Sequence, residues 1–299
     1  LIEVARFITG LPHGALFGHS ALGAASMVER SQRGWAVGRV LSGIAISTLI
    51  GAPFSTFAAN HFGWRIAYLI IGSLGFLTFL GVLRYIPADV PNRKNSPLRE
   101  VKALGNTQVL LTLLTAAIGF GGMFAIYTYL TSVVQNVTHV PEWEVMLYMV
   151  IWGCGMLAGT NVGAWIVDRN INLAVILALS GSIFVMLLFP YVMHNPLGLM
   201  ADVFFIPAFV NALGPALQTR LIDFAEDAQT LAASLNHSAF NIANALGASL
   251  GSVLLGRQLG YGSLGIGSAL LSAGGLAVYF IALAALKRSG LREVRGSID

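Results

Sequence analysis

Long apolar stretches, separated by short polar connections, are the dominant feature of this sequence. Residues 109–118 and 173–188 contain no charged side chain, and apolar and polar positions do not alternate within them. A helix needs about 20 mostly apolar residues to cross the hydrocarbon core of a membrane. In lipid the backbone must satisfy its own hydrogen bonds, which leaves helices or a closed barrel, and barrel strands would alternate over about 10 residues. The pattern therefore predicts an all-α membrane protein.

The content of charged residues and motifs excludes other classes of protein. Asp, Glu, Lys and Arg make up 10% of the chain, whereas a soluble domain carries about 25%. The single cysteine, Cys154, lies inside an apolar stretch, so neither a disulfide framework nor a CxxC metal site can form. P-loop and H-E-x-x-H sequences are absent, and G-x-S-x-G occurs in no strand–turn–helix context. We therefore predict no enzyme activity, no cofactor and no metal.

Nine apolar spans can be counted, bounded by Pro, Gly and polar clusters. Each is expected to cross the membrane as a helix. Their predicted bounds are 1–28, 40–59, 65–84, 107–131, 144–167, 171–193, 197–217, 230–255 and 264–286.

The distribution of basic residues supports this count. Nine spans place alternate connections on opposite sides of the membrane, and cytoplasmic loops carry the excess of Lys and Arg. Fourteen of the 17 basic residues fall on one side, Arg65 and Arg257 fall on the other, and Arg6 lies within the first span. The positive net charge is therefore a topology signal and not evidence for a nucleic-acid partner. It predicts a multi-pass protein of the cytoplasmic membrane with a cytoplasmic C-terminus.

A weak internal repeat suggests two halves. Gly51-Ala52 in the second span and Gly247-Ala248 in the eighth lie six spans apart in the same orientation, as in a parallel repeat of six helices. The predicted organisation is three helices of a first bundle, a cytoplasmic linker and a second bundle of six helices. These units cover residues 1–86, 87–105 and 106–299, and on this expectation the chain lacks the first three of twelve helices.

Small residues recur at every fourth position in four spans. The sets are Gly10, Gly14 and Gly18; Gly43, Ser47 and Gly51; Gly155, Gly159 and Gly163; and Ala239, Ala243, Gly247 and Gly251. This spacing places each set on one helix face, where two backbones can approach closely. Static packing explains any one stripe, whereas four of them suggest interfaces that slide or rock. Both interpretations stay open.

Polar side chains within the spans are candidates for a functional site, because their burial in a membrane is expensive. In the eighth span His237, Asn241 and Asn244 share the face opposite the small residues. That face either lines a wet cavity or makes interhelical hydrogen bonds. Asn211, in the seventh span, lies at depth between two prolines, and Asp202 is expected near the outer surface.

Ionisable residues in the first span have two interpretations each. Arg6 is either functional or neutralised by Glu3, three residues earlier on the helix. His13 and His19 could titrate near neutral pH, and a plain packing role is equally compatible with the sequence.

The first two spans resemble motifs of the major facilitator superfamily of transporters. Residues 6–10, followed by His13, are similar to the R-x-x-x-G motif in the fourth helix of its drug:proton antiporters. Residues 43–53 resemble the glycine-rich motif in their fifth helix, although Ser-Thr replaces the Gly-Gly that usually follows. The turn Phe62-Gly63-Trp64-Arg65 is typical of the branch that contains arabinose-efflux permeases.

The connection between the fifth and sixth spans resembles a further motif of this family. Residues 163–169 are similar to the second-half copy of its G-x-x-x-D-R-x-G-R loop. Ala164 occupies the usual position of a glycine, and residues 170–172 lack the trailing Gly and basic residues. Taken together, the resemblance covers the whole chain as helices four to twelve of a twelve-helix fold.

The resemblance implies secondary active transport by alternating access between two helical bundles. It places an aromatic stripe of the fourth span, which includes Phe124 and Tyr127, toward the substrate. The candidate residues of the substrate or proton pathway are Arg6, His13, Phe124, Tyr127, Asn211, His237, Asn241 and Asn244. The candidate residues of conformational motifs are Gly43, Gly51, Pro53, Gly159, Gly163, Asp168, Arg169 and Gly247.

The resemblance also implies which helices meet between the bundles. The fifth helix of the fold would pack against the eighth, and the eleventh against the second. We therefore expect Gly51, Gly159 and Gly247 to lie along the seam between the two bundles.

The expected function is proton-coupled efflux of a small organic solute, such as a drug, sugar or metabolite, by a monomer in the lipid bilayer. A proton-coupled uptake symporter for a sugar or metabolite is an alternative, since fold alone does not fix function. A scaffold or sensor that does not transport is a third possibility.

The predicted topology can be tested by labelling. Single cysteines at Ser96 and Asn195, in the protein expressed from its complete gene, should react with an impermeant maleimide from opposite sides of the membrane. The reason is that an odd number of spans separates the two positions. Reaction of both from the same side would contradict the predicted spans.

Overall fold

The protein is described here from a computed structural model that covers residues 13–51, 54, 58, 62–85, 105–225 and 228–288, with the backbone alone at 13–15, 142 and 230. All regular elements in these ranges are helical. They are α1 (His13–Ser26), α2 (Arg33–Ile46), α3 (Trp64–Tyr85), α4 (Thr107–Gly119), α5 (Gly121–Tyr127), α6 (Leu130–Asn136), α7 (Glu142–Val167), α8 (Ile171–Val192), α9 (Pro196–Phe224), α10 (Gln229–Gly256) and α11 (Gly262–Arg288). A 3-10 turn, Arg30–Gln32, precedes α2, and a π-helical turn, Ser47–Gly51, continues it.

Eight helical segments in the described part are long and apolar enough to cross a membrane. One of them, Thr107–Asn136, combines α4, α5 and α6. The prediction of an all-α membrane protein is thus confirmed. Of the predicted span 1–28, residues 1–12 lie outside the described part, and α1 covers His13–Ser26. The predicted linker, apart from Gly105, lies outside the described residues.

The predicted start of the second span was wrong. It was placed at residue 40, but α2 begins at Arg33. The first N–H groups of a helix lack partners within the helix. Here the carboxylate of Asp168, from α7's end, accepts from the backbone N–H groups of Gly34 and Trp35 at 2.8 and 3.0 Å. Tertiary contacts therefore extend the helix into a stretch that the sequence alone assigns to a polar connection.

The predicted end of the seventh span was also wrong. It was placed at residue 217, but α9 continues to Phe224 and buries Arg220, which was expected in a connection. The guanidinium of Arg220 donates to Gln108 Oε1 at 2.9 Å and to Thr112 Oγ1 at 3.2 Å. It also lies over the rings of Phe224 and Tyr279. Polar and aromatic partners from α4 and α11 thus stabilise a cation inside the helix bundle.

Helix α9 is central to the packing of the helices after residue 105. It packs against α7 and α8 along its length. Its inward face is buried from Leu199 through Val203 and Val210 to Leu213. Asp202 lies on the same face and is buried, although the sequence suggested an interfacial position. The inward face of α9 is therefore covered by its neighbours from the second turn onward, whereas Pro196 and Leu197 at its start are exposed.

Two seams join the helices before residue 86 to those after 105. At the first, α1 packs against α10, and Gly18 lies against the backbone of Ser234. At the second, α2 packs against α7, where Gly34 and Gly38 lie against Ala164. A side chain at any of these glycines would hold the helices apart. Close approach of backbones therefore builds both seams.

The glycine stripe of α7 does not lie at the seam with α2, contrary to our expectation for Gly159. A Cβ at Gly159 would overlap Ala208 of α9, and one at Gly163 would overlap Ala212. The reason is that α9 packs against the face of α7 that carries the smallest side chains. The stripe thus packs helices that both follow residue 105.

The other predicted seam glycines also have different neighbours. Gly247 of α10 lies against Gly121 and Ala125 of α5. Among the described residues, a Cβ placed at Gly51 would meet only Ser47 of the same π-helical turn. Within the same part of the chain, nothing lies within 4 Å of a Cβ placed at Gly43.

The packing of Gly159 predicts a specific loss of stability. Gly159→Val should lower the melting temperature of the detergent-solubilised protein, because overpacking costs about 1–3 kcal/mol. Gly43→Val is the matched control, since it adds the same β-branched side chain to a helix with space beside it. Thermal unfolding followed by intrinsic fluorescence measures both. Equal melting temperatures for the two variants would show that Gly159 is not in a close helix contact.

Candidate functional site

A cavity of about 250 Å³ lies between α2 and the helices that follow residue 105. Elements α2, α5, α7, α9 and α10 contribute to its wall, with Thr48 coming from the π-helical turn. The apolar lining residues are Leu41, Ile44, Phe120, Met123, Phe124, Trp152, Met156, Gly214 and Phe240. The polar lining residues are Thr48, Tyr127, Thr160, Asn211, His237, Asn241 and Asn244.

Six residues predicted for the substrate or proton pathway lie on this lining. They are Phe124, Tyr127, Asn211, His237, Asn241 and Asn244. Helical periodicity explains the placement on α10, because its small residues pack against α5 and its amides then face the other way. Of the two remaining candidates, Arg6 lies outside the described residues. His13 begins α1, and its side chain is outside the described part.

Aromatic rings form much of the wall. The rings of Phe120 and Phe240 lie 4.3 Å apart between centroids, and those of Tyr127 and Trp152 lie 5.0 Å apart. The imidazole of His237 stacks on Phe17 of α1, at 4.0 Å and 25° between planes. Such pairs are rigid and present both faces and edges to a ligand. His237 thus joins the cavity to the seam between α1 and α10.

The amide groups of the lining differ in their hydrogen-bond partners within the protein. Asn211 Nδ2 donates to the backbone oxygen of Pro207 at 2.9 Å and contacts Met123 Sδ at 3.4 Å. Asn241 and Asn244 are exposed to the cavity side of α10, and neither amide forms a hydrogen bond with another described residue. The Tyr127 hydroxyl likewise has no partner within the described ranges. These three groups are free to bind a solute.

The lining residues in the described part include no Asp, Glu, Lys or Arg. A charged ligand in this cavity would lose its hydration without meeting an opposite charge, which is strongly unfavourable. His237 is the lining side chain whose ordinary titration range is near neutral pH. The chemistry of the wall therefore suits an uncharged molecule with an apolar body and a few polar groups.

One end of the second seam is closed by a contact that we call the clasp, formed by Arg33, Gly34, Trp35, Asp168 and Asp223. The Asp168 carboxylate caps the start of α2, where the unpaired N–H groups and the helix dipole favour a negative charge. A Cβ at Gly34 would overlap the Asp168 carboxylate and Val167, so the contact requires glycine there. The guanidinium of Arg33 pairs with the Asp223 carboxylate of α9 at 3.0 Å.

The remaining residues of the predicted conformational motifs lie apart from the clasp. Arg169 folds back on its own helix, where its guanidinium stacks over the ring of Trp165 at 3.5 Å and donates to that residue's backbone oxygen. A Cβ placed at Gly43 or Gly51 would meet no residue of another helix among the described residues. Pro53 lies outside the described residues.

The wall contributed by α7 was missed by sequence reasoning. Trp152, Met156 and Thr160 recur at every fourth position, beside the stripe that contains Gly155 and Gly159. Their spacing was available as a signal, because the face next to a close-packed stripe can border a cavity. Large apolar side chains at helical spacing also pack in membrane helices without any site, so the pattern alone was not specific.

Comparison with known proteins identifies relatives over nearly the whole chain. The family model described as Major Facilitator Superfamily matches residues 2–225. The inner membrane transport protein YdhP of Escherichia coli (strain K12) is 31% identical over 287 residues, which are 96% of this chain and 73% of that protein. The chloramphenicol resistance protein of Streptomyces lividans is 28% identical over 266 residues, which are 87% of this chain and 67% of that protein.

A solved structure shows the same fold. It is the crystal structure of a bacterial homologue of the iron transporter ferroportin in its outward-facing state. It superposes with a TM-score of 0.62 over 87% of this chain and 66% of that chain, just under two thirds of its length. At 15% sequence identity the likeness concerns the fold alone.

The clasp predicts a change in access to the seam. Replacing Asp168 by Ala removes the cap of α2, which is worth about 1 kcal/mol in comparable caps, or about fivefold in the equilibrium between closed and open seams. In a Cys154→Ser background, a cysteine placed at the buried position Ser42 should then react about fivefold faster with maleimide.

Arg169→Ala is the control for this experiment, because the Arg169 guanidinium bonds to its own helix. It should leave the reaction rate of the cysteine at position 42 unchanged. The same rate in the Asp168→Ala and Arg169→Ala variants would show that the carboxylate does not hold the seam closed.

Proposed function

The chain belongs to the major facilitator superfamily, and on that premise we propose that it exports a small, uncharged organic solute through the cavity between α2 and the helices after residue 105. Proteins of this family are membrane transporters, and the relatives found here are named as transport or resistance proteins. The observation that carries the proposal is the cavity wall, which combines aromatic rings with free amides and has no charged side chain in its described part.

The size of the cavity supports a small molecule as the solute. Its volume of about 250 Å³ exceeds the roughly 150 Å³ that hold benzene in an apolar protein cavity. It lies below the roughly 300–1,000 Å³ of pockets for drug-sized ligands. A molecule with one or two rings and a few hydroxyl or amide groups would fit.

The polar groups of the wall suit recognition of hydroxyl and amide groups. The Asn241 and Asn244 amides can each donate and accept, and the Tyr127 hydroxyl can do both. Phe120, Trp152 and their neighbours would cover the apolar body of the solute. In this proposal Asn211 has a positioning role, because its amide already bonds to Pro207 within α9.

The clasp and the two seams support transport by alternating access. Closed contacts at Asp168 and Asp223 hold α2 against α7 and α9 at one end. The excess of basic residues supports a cytoplasmic location for this end. We infer that the protein is closed toward the cytoplasm here and that the clasp opens when the solute enters from that side.

Export by proton antiport in the bacterial inner membrane is the form of transport that we favour. The motifs at residues 6–10 and 43–53 resemble those of drug:proton antiporters, and YdhP is named an inner membrane transport protein. The name of the Streptomyces lividans relative refers to chloramphenicol resistance, which export of an uncharged aromatic molecule would provide. Uptake in symport with protons is the second candidate, because the same cavity could load from outside.

The charge of the solute provides the test of this proposal. The complete protein in proteoliposomes should show counterflow of chloramphenicol, which is uncharged and aromatic. It should not transport tetraphenylphosphonium or benzoate, because the wall offers no opposite charge. Preference for either ion, or counterflow of none of the three molecules, would contradict the proposal.

Variants of the free amides would locate the binding site. Asn241→Leu and Asn244→Leu should each weaken chloramphenicol binding by about three- to tenfold, as expected for a lost hydrogen bond of about 0.5–1.5 kcal/mol. Asn136→Leu is the matched control, since this exposed amide lies on α6, away from the cavity. Equal affinities in all three variants would exclude the two amides from the site.

A further inference from the structure

A buried carboxylic acid outside the cavity is not explained by the packing or by the solute site. Asp202 lies in the second turn of α9, and 5% of its surface is exposed. Its Oδ2 atom is fully buried and has no hydrogen-bond partner among the described residues. Polar groups buried in proteins are nearly always hydrogen-bonded. An exception within a membrane helix points to a functional role.

Among the described residues, no cation pairs with Asp202. On α7, the register of Gly155 beside Phe204 makes Cys154, which is exposed, the titratable side chain nearest in level to Asp202. Tyr148 follows, with its hydroxyl donating to the backbone oxygen of Pro196, and Glu144 lies four residues before it. On α8 the only titratable side chain at this level in the described residues is Tyr191, which is exposed.

In the described part, the connections at the same end contain three further titratable groups, one of which is the half-buried Tyr261. His139 and His194 are both exposed. The basic residue at this end of the described helices after residue 105 is Arg257, which is also exposed and lies between α10 and α11. An ionised Asp202 would therefore be a buried charge with neither a cation nor a donor at its Oδ2 atom.

The free energy of such a charge decides the protonation of the group. Burial of an unpaired carboxylate costs far more than burial of the neutral acid, so the group binds a proton instead. In the clasped conformation Asp202 is then a neutral carboxylic acid. Any conformation that admits water to α9 would let the same group ionise.

We propose that Asp202 is the proton-binding site that couples a proton gradient to transport, at a distance from the solute cavity. The carboxylate takes one proton from water on the outer side and holds it in the clasped conformation. It releases that proton to water on the cytoplasmic side after the clasp opens. The inference rests on the proposed function for its role in transport, whereas the binding of the proton does not depend on the solute.

In this proposal the proton and the solute bind at two separate sites. The residues that α9 contributes to the cavity are Asn211 and Gly214. Asn211 is nine residues further along the helix, or roughly 13 Å at 1.5 Å per residue. Proton and solute would therefore not compete for one group, and coupling would operate through the position of α9 itself.

His237 is the other titratable candidate, and its contacts favour a different role. It lies in the cavity wall, stacked on Phe17 and edge-on to Phe240. Its replacement should change solute binding first. Asp202 is not one of the residues that line the cavity, so its replacement is not expected to do the same.

The first experiment detects the proton itself, without any solute. Infrared spectra of the purified protein in lipid should show a protonated-carboxyl band near neutral pH that disappears in Asp202→Asn. Asp223→Asn is the control on the same helix, because the Asp223 carboxylate is paired with Arg33 and is expected to be ionised. If the band is absent from the unaltered protein, or persists in Asp202→Asn, the proposal is wrong.

The second experiment tests coupling. In proteoliposomes, Asp202→Asn should retain chloramphenicol counterflow, since Asn resembles the neutral acid, but accumulation driven by a pH gradient should fall to the level without a gradient. His237→Gln should weaken binding and keep the dependence on the gradient. Gradient-driven accumulation that survives in Asp202→Asn, or is lost in His237→Gln alone, would overturn the assignment.

The two experiments also separate this inference from the proposed function. If no solute is transported, the proposed function fails, yet the infrared band still decides whether Asp202 holds a proton. Should Asp202→Asn fail to fold, Asp202→Glu provides the second variant. It should keep a protonated-carboxyl band at a shifted frequency, and an unshifted band would assign the signal to another residue.

Discussion

The need to satisfy every backbone hydrogen bond without water is the constraint on which this structure depends. In lipid it restricts the described chain to helices, and it reappears wherever a helix begins inside the protein. The start of α2 shows this directly, because its first N–H groups are satisfied by the Asp168 carboxylate of another helix. The same bonds join the helices before residue 86 to those after 105. A local requirement of one helix end thereby becomes a contact between the two parts of the molecule.

Small residues then decide which helix faces meet and which remain apart. At Gly159 helix α7 packs closely against α9, and at Gly247 helix α10 packs closely against α5. Once these faces are packed, the bulky and polar faces of the same helices turn toward each other across a space. The cavity therefore lies where close packing is impossible, and its wall consists of the side chains that the glycine stripes exclude. Asn241 and Asn244 face it for this reason.

The ionisable groups inside the helices have four different kinds of surroundings. Arg220 has amide, hydroxyl and aromatic partners. Asp168 faces a helix N-terminus, and Arg33 and Asp223 pair with each other. Asp202 lies buried with an oxygen atom that has no partner in the described part of the chain. The first three arrangements provide hydrogen-bonding or oppositely charged partners for a charged side chain, and the fourth provides none at Oδ2 among the described residues. That difference is why we assign proton binding to Asp202, a structural role to Arg220 and closure of the clasp to Asp168, Arg33 and Asp223.

The sequence by itself determined the all-α membrane class, most of the helix positions and the family resemblance, because span length and periodicity are local properties. It also pointed to six residues that line the cavity. Helical spacing indicated His237, Asn241 and Asn244, the flanking prolines indicated Asn211, and the family resemblance implied Phe124 and Tyr127. Only the tertiary structure decided which neighbour each face meets. In the structure Gly159 lies at an interface with α9 and not at the expected seam. Arg220 lies within a helix, and Asp202 is buried. Whether a face packs or borders a space depends on side chains more than a hundred residues away, such as Trp35 beside Asp168, and no local pattern contains that information.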